Sequence, residues 1–184
     1  MKPTEILMEE HELILVMLDV IGAVCDGMEK TGKADDARIT QIIDFIRSFA
    51  DGCHHAKEEK VLFPALEAAG IPREGGPIGV MLSEHVMGRN FVMNMDKALN
   101  GLRKGSADAS TGFIKNARGY VELLTEHIHK ENNVLFVMAD QKLSPEEQKR
   151  IGDDFERIER EETGEGVHEK YHTLLHELRD AYLK

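Results

Sequence analysis

One pattern occurs twice in the chain: His54-His55-Ala56-Lys57-Glu58-Glu59-Lys60-Val61-Leu62-Phe63-Pro64, and then His127-Ile128-His129-Lys130-Glu131-Asn132-Asn133-Val134-Leu135-Phe136. Both copies place His-x-x-x-Glu before an apolar triplet at the same offset. Residues four apart on a helix lie one above the other on one face, so each copy stacks an imidazole on a carboxylate. Helical bundles with paired metal ions build their sites from inward His and Glu at helical spacing. The chain therefore reads as an all-α, metal-binding helical bundle.

The rest of the chain agrees with helix. Only five prolines interrupt 184 residues, and long stretches of Ala, Leu, Glu, Lys, Met and Ile favour helix. Pro3-Thr4 opens a first helix running to about Lys30. Asp35 or Asp36 caps a second, which reaches Ala69 and should bend at Pro64. A third follows Pro77 and ends at Lys104-Gly105, and a fourth runs from about Ser110 to Asp140. Four long helices on short loops pack as antiparallel neighbours, an up-down-up-down four-helix bundle over residues 1–142. Ser144-Pro145-Glu146-Glu147 is a capping box with proline at its tolerated place, and it opens a fifth helix. After Gly164-Glu165-Gly166 a sixth runs to Leu183. Residues 143–184 are thus expected as a helical appendage laid on the bundle.

A net charge of −11 argues against nucleic acid and against anionic membrane surfaces. Glu9, Glu10, His11 and Glu12 break the apolar N-terminal stretch, so no signal peptide is read there. The run from Leu13 to Val24 contains Asp19 and is too short to span a bilayer. A cytoplasmic location is expected, with Cys25 and Cys53 as free thiols.

Helical periodicity sorts the nine histidines. His54 shares a face with Ile43, Ile46, Ala50 and Leu62, whereas His55 shares one with Asp44, Arg47, Asp51 and Glu59. His54 is expected inside and His55 mostly in water. His127 lies with Leu123, Leu124, Val134 and Leu135 and goes in, while His129 stays out. His11, with Leu7, Ile14 and Leu18, and His85, with Met81, Leu82, Val92 and Met93, add one inward imidazole each. At ~1.5 Å rise per residue all four come to a similar depth. Four imidazoles and two carboxylates in an apolar core are too costly unless a cation compensates them. Their chemistry suits iron, manganese or zinc better than calcium or magnesium, and six donors exceed the four of a structural zinc site. The set suits two metals, with Glu58 and Glu131 bridging, two His on each metal, a water-derived oxo or hydroxo bridge, and an open position.

The ordered set His11, His54-x-x-x-Glu58, His85, His127-x-x-x-Glu131 resembles the hemerythrin-like (HHE cation-binding) family over roughly residues 4–140. The resemblance implies a non-haem centre of two iron ions, with Mn or Zn as possible substitutes. The wording around the ligands is most similar to di-iron proteins linked to iron–sulfur cluster repair under nitrosative stress. Oxygen-carrying members have a second His on the third helix and His-x4-Asp on the fourth. Here Met81 and Arg89 flank His85 at four residues, and His-x3-Glu stands on the fourth. Tyr171 and His172 on the last helix are candidates for a missing donor, with packing the plainer role for Tyr171, and His168, His172 and His176 form a row more often found as a solvated edge. Met8, Met17, Met81, Met87, Met93 and Met95 are expected as adaptable core filler.

Two classes of function follow. In the first, the centre binds a small diatomic ligand, O2 or NO, for sensing, scavenging or stress response. In the second it is an enzyme acting on peroxide, O2, NO or Fe(II). Iron storage or donation is a third, with Glu12, Glu59 and Glu84 as an exit route.

Overall fold

The structure is a computed structural model that describes residues 1–164 and 166–183, without the side chains of Glu162, Thr163 and His168. His168, expected on the solvated row, and Glu165 of the expected break thus lie outside the described residues. The described residues form six helices and no strand. Helix α1 is Pro3–Thr31. Helix α2 covers residues 36–68 as Asp36–Phe45, Ile46–His55, Glu58–Leu62 and Phe63–Ala68. Helix α3 is Pro77–Arg103. Helix α4 covers residues 109–142 as Ala109–Lys130, Glu131–Leu135 and Phe136–Lys142. Helix α5 covers residues 145–163, beginning with Pro145–Ile158, and α6 is Val167–Tyr182.

Local chemistry sets the ends. The Asp35 carboxylate accepts from the Arg38 amide at the start of α2. Ser144 and Glu147 complete the reciprocal capping box of α5, satisfying amides that have no partner within the helix. Gly32 ends α1 at φ 67°, a left-handed conformation that costs glycine nothing.

The four long helices make an up-down-up-down bundle, with α4 against α1 and α3, and α2 beside α3. The core splits into two apolar halves. One holds Ile14, Met17, Ile21, Phe45, Phe49, Val92, Phe113 and Leu124. The other holds Leu7, Leu62, Phe63, Met81, Leu135, Phe136, Ile151 and Phe155. His11, His54, His85 and His127 fall in sequence between members of the two halves, one on each helix, and all are buried. A polar layer is thereby enclosed between apolar ones.

Helices α5 and α6 pack on α1 and α2. Ile151 and Phe155 join one half of the core, and Tyr171, Leu175 and Leu178 the other. Met17, Met81 and Met95 are core residues as expected, but Met8, Met87 and Met93 are exposed; their helix positions border the buried stripe rather than lie within it.

Candidate metal centre

Both His-x-x-x-Glu pairs end on a π-helical turn, Glu58–Leu62 in α2 and Glu131–Leu135 in α4, each beginning at the glutamate. A longer π-helical stretch, Ile46–His55, precedes the first pair. Such segments bond i→i+5 and recur at functional sites. They widen the turn, so facing arguments built on 3.6 residues per turn slip there. His55, expected mostly in water, is consequently buried next to His54. Val134, expected inside, is 50% exposed for the same reason. After the second π turn Pro64 stands near the start of a new α-helical stretch, where its missing N–H is tolerated.

The donors converge on two points. His11 Nε2 lies 3.2 Å from Glu131 Oε2, and His127 Nε2 lies 3.3 Å from Glu131 Oε1. His54 Nε2 lies 3.6 Å from Glu58 Oε1, and His85 Nε2 lies 3.4 Å from Glu58 Oε2. Each glutamate thus turns one oxygen to the His11/His54 side and the other to the His85/His127 side. His85 Nε2 and His127 Nε2 are 3.1 Å apart. Two donors about 2.1 Å from one ion at right angles are separated by about 3.0 Å. Ring planes cross at 57° for His11 with His54 and 58° for His85 with His127, which lets the in-plane lone pairs of each pair meet at one ion.

His55 also comes close. It groups with Glu58, His85 and His127, their donor atoms within 4.8 Å of one another, while His11, His54, Glu58 and Glu131 form a second such group. Yet the His55 ring stacks on His85 at 3.9 Å between centroids and 18° between planes. An ion about 2.1 Å from both nitrogens cannot lie in two such nearly parallel planes. His55 in this orientation is a wall of the site and not a co-ligand of His85.

The outer ring nitrogens are anchored. His11 Nδ1 donates to Asn132 Oδ1 at 2.7 Å, His54 Nδ1 to Glu10 Oε2 at 2.9 Å, His85 Nδ1 to Glu59 Oε1 at 2.7 Å, and His127 Nδ1 to Glu84 Oε2 at 2.9 Å. Such bonds fix the tautomer that leaves Nε2 with its lone pair inward, and they orient metal-binding imidazoles. The anchors are held in turn, Glu10 by Lys57, Glu59 by Arg89 and Glu84 by Lys130. Glu59 and Glu84, read from sequence as an exit route, therefore orient histidines, and Glu12 is exposed.

Inside the layer the balance is unfavourable for side chains alone. His11 Nε2, His54 Nε2 and both carboxylate oxygens of Glu58 and Glu131 are buried without a hydrogen-bond partner. The four His Nε2–glutamate contacts are too long or too poorly aligned to count as hydrogen bonds. Burial and the facing Glu131 carboxylate drive Glu58 well above the usual carboxylate range. Burial with His11 opposite holds His54 down at about 4, so it stays neutral. Unpaired buried carboxylates cost several kcal/mol. Neutral imidazoles and bridging carboxylates suit divalent or trivalent transition metals, and the residues present fit them.

Tyr171 takes no part. Its hydroxyl donates to Asp44 Oδ2 at 2.9 Å, and its ring packs on Phe45 and Phe49. His172 is exposed, on a cleft with Glu9, Glu10 and Glu159, and His129 is exposed as expected. Neither Cys25 nor Cys53 forms a disulfide.

An all-α bundle enclosing a His/Glu donor layer defines a cation-binding class of protein. The family described as the Hemerythrin HHE cation binding domain matches residues 2–139, and the chain belongs to that family. It is similar to the iron-sulfur cluster repair protein YtfE of Musicola paradisiaca (strain Ech703), 36% identical over 134 residues, covering 71% of this chain and 58% of that protein. The YtfE protein of Dickeya chrysanthemi (strain Ech1591) is 32% identical over 88 residues, 47% of this chain and 40% of that one. The chain thus spans about half the length of these relatives. No solved structure matches it, and no described helix is long and apolar enough to cross a membrane.

Proposed function

We propose that the chain is a non-haem di-iron protein that binds a small diatomic ligand, O2 or NO, for sensing, scavenging or stress response. His11 and His54 would hold one iron, His85 and His127 the other, and Glu58 and Glu131 would bridge them. The observation that carries this reading is the set of buried donor atoms of His11, His54, Glu58 and Glu131 that have no partner. Iron would supply electrons and a binding position for the diatomic molecule. The chain's own residues orient the imidazoles through Asn132, Glu10, Glu59 and Glu84, and the two apolar halves keep water away. With two imidazoles for each ion and two shared carboxylates, the donor set leaves a coordination position for an added ligand.

The names of the relatives favour a second reading, in which the centre serves iron–sulfur cluster repair by donating iron. Stopped-flow mixing of the anaerobically reduced protein with O2, and separately with NO, separates the two. A long-lived adduct supports binding. Rapid oxidation without an adduct, together with iron transfer to a damaged cluster, supports repair. Absence of any iron-dependent spectral change refutes both.

A further inference from the structure

The histidines of the last helix take no part in the donor layer. His172 and His176 stand one turn apart on α6, both exposed, and residues four apart on a helix are neighbours on one face. Tyr171, Leu175 and Leu178 bury the adjoining face of the same helix in the core, and the bond from Tyr171 to Asp44 ties it to α2. The bundle therefore fixes the turn that carries the two imidazoles, while the imidazoles themselves reach solvent.

Their rings are drawn together rather than splayed. The centroids lie 4.5 Å apart and the planes cross at 63°. The two inward pairs have nearly the same arrangement, 4.5 Å and 57° for His11 with His54, and 4.8 Å and 58° for His85 with His127. Two donors about 2.1 Å from a tetrahedral ion are separated by about 3.4 Å, which rings at this spacing allow to one nitrogen of each. Neither ring makes a hydrogen bond among the described residues, whereas every inward imidazole is anchored through Nδ1.

The surroundings favour a cation. His172 lines a cleft with Glu9, Glu10 and Glu159. Lys57 joins Glu10 to Glu159 and offsets one of these carboxylates. Glu9 is exposed and has no ion-pair partner among the described residues. The cleft thus keeps a negative surplus, which concentrates cations at its mouth. Imidazole donors select transition metals over calcium and magnesium.

We infer that His172 and His176 form a further metal site, separate from the donor layer, which holds one divalent transition-metal ion of the zinc class through one nitrogen of each ring. Water completes its coordination, so the ion is held more weakly than one enclosed by the layer and exchanges with solvent. The site lies on α6, beyond the family segment of residues 2–139, and does not depend on which metal fills the layer.

Equilibrium dialysis of the untagged, iron-loaded protein against graded Zn(II), with iron and zinc read together by elemental analysis, tests it. The native protein should take up one exchangeable zinc per chain that His172→Ala and His176→Ala each weaken at least tenfold, with iron content unchanged. Both side chains are exposed, so neither replacement disturbs the core. His129→Ala, which removes an exposed histidine elsewhere, should leave the zinc in place. Equal zinc binding by the native protein and both α6 variants overturns the site, as does loss of the same zinc in His129→Ala. Either result leaves the iron reading standing. A native protein that takes up no iron but loses one zinc per chain in the α6 variants would support this site and refute that reading.

Discussion

Replacing Lys57 by methionine should be among the most damaging single changes outside the donors themselves. The ammonium is fully buried between Glu10 and Glu159, and it lies 5.8 Å from the centre of the Phe155 ring. Glu159 is 41% exposed, and water can take over its share, so that contact contributes no more than about 1 kcal/mol. Glu10 is different. It is 3% exposed, and without Lys57 its charge would face only the His54 N–H. Breaking a buried pair in this way costs about 3–5 kcal/mol, a large part of the ~5–15 kcal/mol that holds a domain together. Despite burial, His54 and Lys57 keep the Glu10 pKa below its ordinary value. In the native protein that pair therefore contributes stability above the unfolded carboxylate pKa and loses it as pH falls. In Lys57→Met the folded pKa should rise instead, so the deficit is largest at pH 7 and shrinks towards pH 5 as Glu10 takes up a proton. Urea denaturation of the metal-free proteins at both pH values measures this. The double variant Glu10→Gln/Lys57→Met should recover at least half of the loss. A loss under about 1 kcal/mol, or a double variant no more stable than Lys57→Met, would refute the reasoning.

Tyr120→Phe should leave thermal stability unchanged or raise it by up to about 1 kcal/mol, because it deletes an unpaired buried hydroxyl; a clear loss would mean that the hydroxyl has a partner. Tyr171→Phe should cost about 0.5–1.5 kcal/mol through the lost bond to Asp44 and leave the visible spectrum of the iron-loaded protein as it was, whereas a vanished band would make Tyr171 a ligand. His54→Ala should lose metal while His129→Ala keeps it, as read by elemental analysis; the reverse result would put the facing of both helices in error. Burial pushes the Cys25 thiol up to about 11, so at pH 8 almost none is thiolate, and alkylation followed by peptide mass spectrometry should label it only on unfolding. Rapid labelling of the native protein would contradict that.

Much of this was open to reading in the sequence because the helices are long and regular. Pro3, Asp35, Pro77 and the Ser144 capping box mark ends that the structure reproduces within a residue or two. The six candidate donors were picked out by two His-x-x-x-Glu pairs at four-residue spacing and by the apolar faces of His11 and His85, and the structure buries all six. His55 was misread where that geometry fails, since the Ile46–His55 π-helical stretch brings two consecutive histidines inward. Lys57 stands in a Lys-Glu-Glu-Lys run that gives no local sign of its burial. Its burial depends on α5 supplying Glu159 and Phe155 from about a hundred residues away, which no local pattern reports. The orienting groups did leave a trace. Glu10, Glu59, Glu84 and Asn132 each adjoin a donor in sequence, but each serves an imidazole on a different helix, and that pairing is visible only once the helices are packed.

In the proposed centre Glu58 and Glu131 would join two metal ions between the histidine pairs. Anomalous diffraction at the iron edge, from crystals of protein reconstituted anaerobically with Fe(II), tests it most directly. Two iron peaks are expected in each chain, one beside His11 and His54 and one beside His85 and His127, with both lost in the Glu58→Ala/Glu131→Ala double variant. A single ion, or iron bound away from these residues, would contradict it.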